Sequence, residues 1–379
     1  MTLSVSPATI ARLRLAAQGI LPTSTRPSPG PVDVVRSLTA LQGQDFPGAL
    51  WSIGLRSPGS TRADVEAAFN RGELVRSCPL RGTLHVTAAE DLGWILSLTA
   101  ERMLQGQATR HRQLGITTPD LEQVRDLALA LLEKSDGRVT REGLFAAFEQ
   151  AGQGTKAQRG YHFLFLLCLE GTLVQGPVNT GNGNGQFFVS SQDWIQNPRV
   201  LERDEALPEL ALRYFRSHGP ATVKDFQWWS KLTLKDINAG LAQVQDQLET
   251  LECNGTEYWL APETAELLGG PDHRKTVNGA RSVLLLPGFD EYLLGYTDRS
   301  AALAPEHAPL TVPGNNGMFK ATVVAGGRVS GTWRKAQGAA EKQRQRSGVV
   351  LPEIFTQLTT SQDRALNAAA KKYATFLGK

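Results

Sequence analysis

The sequence predicts an α+β fold: three tandem winged-helix repeats, a β-rich C-terminal region and a final helix. Three observations carry that expectation. Cap residues followed by apolar residues at helical spacing recur along the first two thirds of the chain. Each such group is closed by two short apolar runs around a glycine-containing turn, the pattern of a β-ribbon. Beyond Pro271 the helical spacing gives way to short strand-like runs. The 379 residues fit two to three compact units at about 150 residues per domain, and the elements divide them at 1–117, 118–202, 203–270 and 271–379.

The first repeat opens at Ser6-Pro7, a cap with proline in the first helical turn, followed by Ile10, Leu13 and Leu15 to Ala17. Pro22, Pro27, Pro29 and Pro31 form a linker, after which Val34, Val35, Leu38 and Leu41 give a second apolar stripe. Thr61 with Asp64 and Thr87 with Glu90 each place an oxygen acceptor three residues before an acid, so helices are expected to start at both. Leu74 to Val86, with Gly82 near its middle, reads as two strands. In the second repeat Thr118-Pro119, Thr140 and Gln158 open helices, and Thr172 to Val174 and Phe187 to Val189 flank the loop from Asn179 to Gly185. The third has helices through Leu210 to Phe215, Val223 to Trp229 and Leu241 to Leu248, and a ribbon turning at Asn254-Gly255. In the C-terminal region Arg281 to Leu286 and Tyr292 to Tyr296 read as strands. Met318 to Val324 and Arg328 to Trp333 read as a hairpin, and Thr359 to Phe376 as an amphipathic helix.

Composition narrows the function classes. With 41% hydrophobic and 20% charged residues the chain is of the soluble globular type, and no apolar run approaches the roughly 20 residues of a spanning helix. Met1 to Gln18 is amphipathic and lacks the continuous apolar core of a secretion signal, so a cytoplasmic address and no membrane partner are expected. Cys78, Cys168 and Cys253 are odd in number and far apart, which encodes neither a disulfide framework nor a zinc knuckle. Cys168 and the pair Trp228-Trp229 read as core. HExxH, paired CxxC and GxxxxGK[ST] are all missing, so no metal and no cofactor are expected. The run Gly181 to Gly185 does not lead from a strand into a helix and reads as a wing loop rather than a phosphate cradle. A net charge of +3 is too mild to name nucleic acid as a partner. Between Arg328 and Arg346, however, six basic residues face the single acid Glu341, a local +5. A solvated tail and a binding surface both remain open for it.

The informative segment is Leu38 to Pro47. In extended chain Gln42 and Gln44 point the same way, and their amides can hold a water and read a polar edge. The competing reading is a helix C-terminus closed by Gly43 with two solvated glutamines. Asp45 is the neighbouring candidate base, turned to the other side by one residue.

Four blocks resemble the bacterial AlkZ and YcaQ family of winged-helix DNA glycosylases. They are Leu41 to Trp51, Leu80 to Val86, Gly288 to Arg299, and the hairpin strand Gly327 to Arg334, in family order. The resemblance implies a catalytic Gln-x-Gln element, matched by Gln42 and Gln44 as in the AlkZ branch, with Asp45 second. Gly43 departs from the family's usual aliphatic middle residue and is expected to loosen the backbone. Two neutral amides suit a cationic leaving base: they position water and face the forming sugar cation with partial negative charge. The implied activity is hydrolysis of bulky N7-alkylated purines or cross-links in double-stranded DNA. No lysine adjoins the motif, so a monofunctional enzyme is expected. Arg56, Arg81, Arg328, Arg334 and Lys335 lie in or beside the blocks and are the candidate DNA contacts, each also readable as a surface or ion-paired residue, and the hairpin Met318 to Trp333 is a candidate groove probe. His85 reads as structural. A monomer in a bacterial, nucleoid-associated cytoplasmic setting completes the expectation. The readings from other classes are a non-enzymatic winged-helix DNA-binding regulator and a hydrolase of another nucleoside-like substrate.

Overall fold

The computed structural model describes residues 3–21, 29–182, 185–269, 282–336 and 349–379. Helices α1 (Pro7–Ala17), α2 (Pro31–Leu38), α3 (Phe46–Arg56) and α4 (Arg62–Asn70) precede a ribbon of β3 (Leu74–Leu80) and β4 (Thr83–Ala88). A short strand β2 (Ala40–Gln42) lies between α2 and α3, and β1 (Leu3–Ser4) precedes α1. The caps behave as their chemistry requires: Ser6 accepts from the Thr9 amide, and Thr61 and Asp64 cap each other's amides. Thr87 does not cap. It lies inside β4, and the chain passes through a 3₁₀ turn at Ala89–Asp91 before the 22-residue helix α5 (Leu92–Gln113) begins.

The next group comprises α6 (Thr118–Glu133), α7 (Arg141–Gln150), α8 (Arg159–Leu169), β5 (Leu173–Asn179) and β6 (Gly185–Ser190). Helices Arg203–His218, Val223–Ser230 and Leu234–Ala242 then lead into β7 (Glu249–Cys253) and β8 (Thr256–Leu260). The third of these helices lies earlier than expected, because Thr233 caps at Asp236 and Leu248 has already left the helix.

The ribbons do not form separate sheets. Arg76 on β3 pairs with Gln175 on β5, which joins the first two into one five-stranded sheet of order β2-β4-β3-β5-β6. The third ribbon takes β1 as its parallel neighbour in the order β1-β7-β8.

At the C-terminal end β9 (Val283–Leu286), β10 (Thr322–Ala325), β11 (Arg328–Lys335) and β12 (Val350–Ile354) make a third sheet of order β12-β11-β10-β9. Two expectations are corrected here. Tyr292 to Tyr296 is no strand: Asp290 accepts from the Tyr292 amide and starts the short helix Glu291–Leu294. The β10–β11 hairpin is also no free probe, since both strands are interior to the sheet and its tip packs on Ala11, with the Tyr292 hydroxyl donating to the Gly327 carbonyl.

This sheet and the final helix Thr360–Phe376 share one apolar core with α2 to α4. Trp51 of α3 lies 4.9 Å from the Tyr373 ring and 5.1 Å from Phe376. Gly54 leaves the room that the Phe376 ring fills. The first and last parts of the chain therefore fold against each other, and the C-terminal core holds α3, the helix that follows the two glutamines. Cys168 and Trp229 are buried, as read from the sequence, and Trp228 is half-buried. Among the described residues no helix is long and apolar enough to cross a membrane. No group of three His, Cys, Asp or Glu side chains among them is gathered as for a metal ion.

Candidate active site

Helix α2 ends at Leu38 because Thr39 takes a positive φ of 67° and turns the chain out of the helix. From there the chain is extended. Ala40, Leu41 and Gln42 pair with Thr87, Val86 and His85, and the Gly43 amide continues the ladder to the Leu84 carbonyl at 2.7 Å. The chain then turns at Asp45, the residue before α3. The two glutamines thus sit between an edge strand and a helix start, and the reading of a helix closed by Gly43 fails.

Their roles differ. Gln42 is 8% exposed. Its Nε2 donates to Thr83 Oγ1 at 3.2 Å, and its Oε1 accepts from the Gln44 amide at 2.9 Å. Gln44 is exposed and opens onto a cavity of about 650 Å³. The inner glutamine holds the outer one. Asp45 is exposed, with its carboxylate folded over Gly48 in the first turn of α3.

Beneath the motif lies a carboxylate that sequence reasoning passed over. Glu291 is fully buried, and its Oε1 accepts from the Gln42 amide at 3.0 Å. Its Oε2 accepts from Trp229 Nε1 at 3.0 Å and faces His218 Nε2 at 3.4 Å, while Arg81 lies 3.7 Å from Oε1. Burial alone raises a carboxyl pKa, but His218 and Arg81 outweigh it and hold Glu291 down at about 2. His85 faces the same cluster. Burial, reinforced by Arg81, depresses it to about 3. Arg81 has only donors, so it donates to His85 Nε2 at 2.9 Å, and the neutral ring donates from Nδ1 to the Thr83 carbonyl at 2.8 Å. The available signal was an Asp-Glu pair directly before the apolar run Tyr292 to Leu294, a place where a charge must find partners.

Gly43 has a steric reason. A Cβ there would lie 3.0 Å from Arg76 Cδ and 3.2 Å from its Cγ. The Arg76 side chain cannot yield easily, because Nη1 donates to the Gly43 carbonyl at 3.1 Å and Nε to Gln175 Oε1 at 3.0 Å, with the guanidinium 4.8 Å from the Phe46 ring. Far from loosening the motif, the glycine admits an arginine that pins its backbone. Gly→Ala in strain-free chain stabilises by about 0.4–1 kcal/mol through the unfolded state, whereas overpacking costs about 1–3 kcal/mol. Gly43→Ala is therefore expected to destabilise by about 1 kcal/mol and Gly43→Leu by more, read as lowered urea midpoints.

A family model for AlkZ-like DNA glycosylases matches residues 35–376. The chain belongs to the AlkZ-like DNA glycosylase family. It is thus an enzyme acting on N-glycosyl bonds. A curated relative, the interstrand DNA cross-link repair glycosylase of Streptomyces sahachiroi, is 29% identical over 319 residues, which cover 81% of this chain and 83% of the relative. The solved structure of the Streptomyces sahachiroi DNA glycosylase AlkZ superposes with a TM-score of 0.77 at 25% identity, covering 99% of this chain and 98% of that one. The regulator reading is not favoured by these matches.

Within this AlkZ-like chain the five candidate DNA contacts separate. Arg56 is 1% exposed and is spent on Asp290, Gln18 and Ser52, so it is a structural residue and no surface contact. Arg81 is also largely interior, its side chain 7% exposed and bound to the Trp229 carbonyl, His85 and Glu291. Arg328, Arg334 and Lys335 are exposed. Arg328 begins β11 and Lys335 ends it, on the order of 23 Å away at about 3.3 Å per residue. Lys335 reaches the neighbourhood of Asp45 and Arg62; desolvation and Arg62 lower its pKa. Lys342, Arg344 and Arg346, the rest of the basic stretch, lie outside the described residues.

Proposed function

We propose that this glycosylase hydrolyses the N-glycosidic bond of bulky N7-alkylated purines, interstrand cross-links among them, in duplex DNA, leaving an abasic site without cutting the strand. The observation that carries the reading is the Gln42–Gln44 pair, braced from below by Glu291 and Thr83 so that one amide faces outward. A purine alkylated at N7 already carries positive charge and needs no strong acid to leave. Gln44 offers its oxygen to the attacking water and to the forming sugar cation, and Gln42, accepting from the Gln44 backbone amide, fixes the chain that carries it, so that catalysis is by position and electrostatics. Asp45, beside the pair, stands second as the group that orients water. The cross-link repair glycosylase named above supports the substrate class. Lys335, exposed near Asp45, its exposed neighbour Arg334, and Arg328 at the far end of β11 are the proposed phosphate contacts. The protein acts as a monomer.

The test is release of free base, followed by mass spectrometry, from duplexes carrying an N7-alkylguanine. Gln42→Ala/Gln44→Ala is expected to lower the single-turnover rate by at least about 10²-fold, the scale of losing a preorganised polar group. Full activity in that double variant removes both residues from the mechanism. Because Lys335 approaches Asp45, borohydride trapping decides the monofunctional assignment: no covalent protein–DNA adduct is expected, and one lost in Lys335→Gln marks a lyase.

A further inference from the structure

The cavity behind Gln44 is larger than catalysis at a sugar requires. Its volume of about 650 Å³ falls in the range of sites that enclose drug-sized ligands, about 300–1,000 Å³. Gln44 forms one wall, and the floor is Arg76 locked to Gln175. Helix α8 contributes Tyr161 and Phe165, and Tyr161 is 54% exposed although it is a large aromatic. Gln107 of α5 stands at another side. Gln186 of β6 also lines the cavity. It is 7% exposed, its Nε2 donates to the Gly176 carbonyl, and its buried Oε1 has no hydrogen-bond partner among the described residues.

The charges on these walls restrict the ligand. Glu142 is the one carboxylate among the described lining residues, and Arg141 holds it at 2.6 Å. Arg76 forms no ion pair among the described residues, and burial lowers its pKa only to about 10, so it stays charged at neutral pH. A cationic appendage is repelled there. A flat, neutral aromatic group fits, its ring against Tyr161 and Phe165.

We propose that this cavity is a specificity pocket that receives the aromatic N7 substituent of the damaged base while Gln44 faces its sugar. The inference rests on the glycosylase reading and deepens it. N7 and the glycosidic nitrogen belong to the same five-membered ring, so a base whose sugar faces Gln44 delivers its N7 substituent to the neighbouring walls. The pocket lies between the first and second ribbons, which explains why they are joined into one sheet through Arg76 and Gln175: the shared floor sets the spacing of its walls.

Two measurements test this. The first is equilibrium binding of free N7-(2-naphthylmethyl)guanine and free N7-methylguanine, read by protein fluorescence. The naphthylmethyl base is expected to bind at least tenfold more tightly, and Gln107→Trp, which fills the cavity, to abolish that preference. The second is the ratio of kcat/KM for release of the two bases from otherwise identical duplexes, expected to fall at least tenfold in both Tyr161→Ala and Gln107→Trp. Equal binding of the two free bases by the unaltered protein, or variants that leave the ratio unchanged, overturns the pocket. Loss of the glycosylase reading has a different signature, since neither base is then released while the binding preference persists.

Discussion

Replacing Asp290 with alanine is expected to destabilise the protein by about 3–5 kcal/mol, the cost of leaving a buried charge without its partner. Asp290 holds Arg56 in a two-pronged ion pair, Nη1 to Oδ2 and Nη2 to Oδ1, each at 2.8 Å, with side chains 1% and 2% exposed. The same carboxylate accepts from Ser52 Oγ at 2.7 Å and from the Tyr292 amide at 3.0 Å. Arg56 spends its other donors on the Gln18 carbonyl and side chain and on Ser52. One pair thus ties the end of α1, helix α3 and the turn into the C-terminal core. Single removal strands a buried guanidinium without its carboxylate. Asp290→Leu with Arg56→Met removes both charges, and because well-packed apolar replacements of buried pairs are often neutral, the double variant is expected to recover most of the loss. Urea unfolding of the three proteins checks this; a single variant within about 1 kcal/mol of the unaltered protein refutes the account.

That ion pair also shows what the sequence did and did not disclose. Local rules were legible where neighbours in sequence satisfy each other: Ser6 before Pro7, Thr61 with Asp64, and the ribbon turn at Asn254-Gly255 all stand where cap and turn chemistry puts them. The glutamine motif was legible as a candidate, and its extended backbone follows from the departure at Thr39. Arg56 and Arg81 were open to both a DNA contact and an ion pair because their carboxylate partners lie more than 200 positions away, a separation at which no local spacing signals a pair. Tyr292 to Tyr296 looked like a strand for a related reason. Its aromatic and leucine residues suit a buried strand, but the Asp290 cap decides for a helical turn. Gly43 was misjudged because the Arg76 stem that occupies its missing side chain arrives from β3.

Glu291→Gln is expected to slow base release by about 10²-fold through kcat with KM little changed, the scale at which a displacement of about 1 Å is felt in catalysis. The carboxylate faces donors on both oxygens: the Gln42 amide and Arg81 on one, Trp229 and His218 on the other. An amide must turn an NH₂ group toward one of these sides, so either the Gln42 amide or the Trp229 indole loses its acceptor. Both routes leave Arg81 without its charge partner, and a stability loss of about 2–4 kcal/mol accompanies the kinetic one. The kinetic comparison is made at a temperature where circular dichroism shows both proteins folded, so a merely structural role leaves kcat unmoved. Acid sensitivity separates the groups. Glu291 titrates at about 2 in the fold against 4.5 free, so its contribution is complete above pH 4.5 and is lost as the pH falls toward 2. His85 is held neutral to about pH 3 against 6.5 free, so its contribution is complete above pH 6.5 and is lost as the pH falls from there toward 3. Stability of the unaltered protein therefore declines from pH 6.5 downward, in a first stage set by the histidines that burial holds down, His85 and His218 in this cluster with His111 and His162 elsewhere, and a second shared with Glu291. In Glu291→Gln the first stage persists and the fall below pH 4.5 becomes shallower; urea midpoints that stay parallel to those of the unaltered protein at every pH exclude Glu291 as the anion beneath the motif.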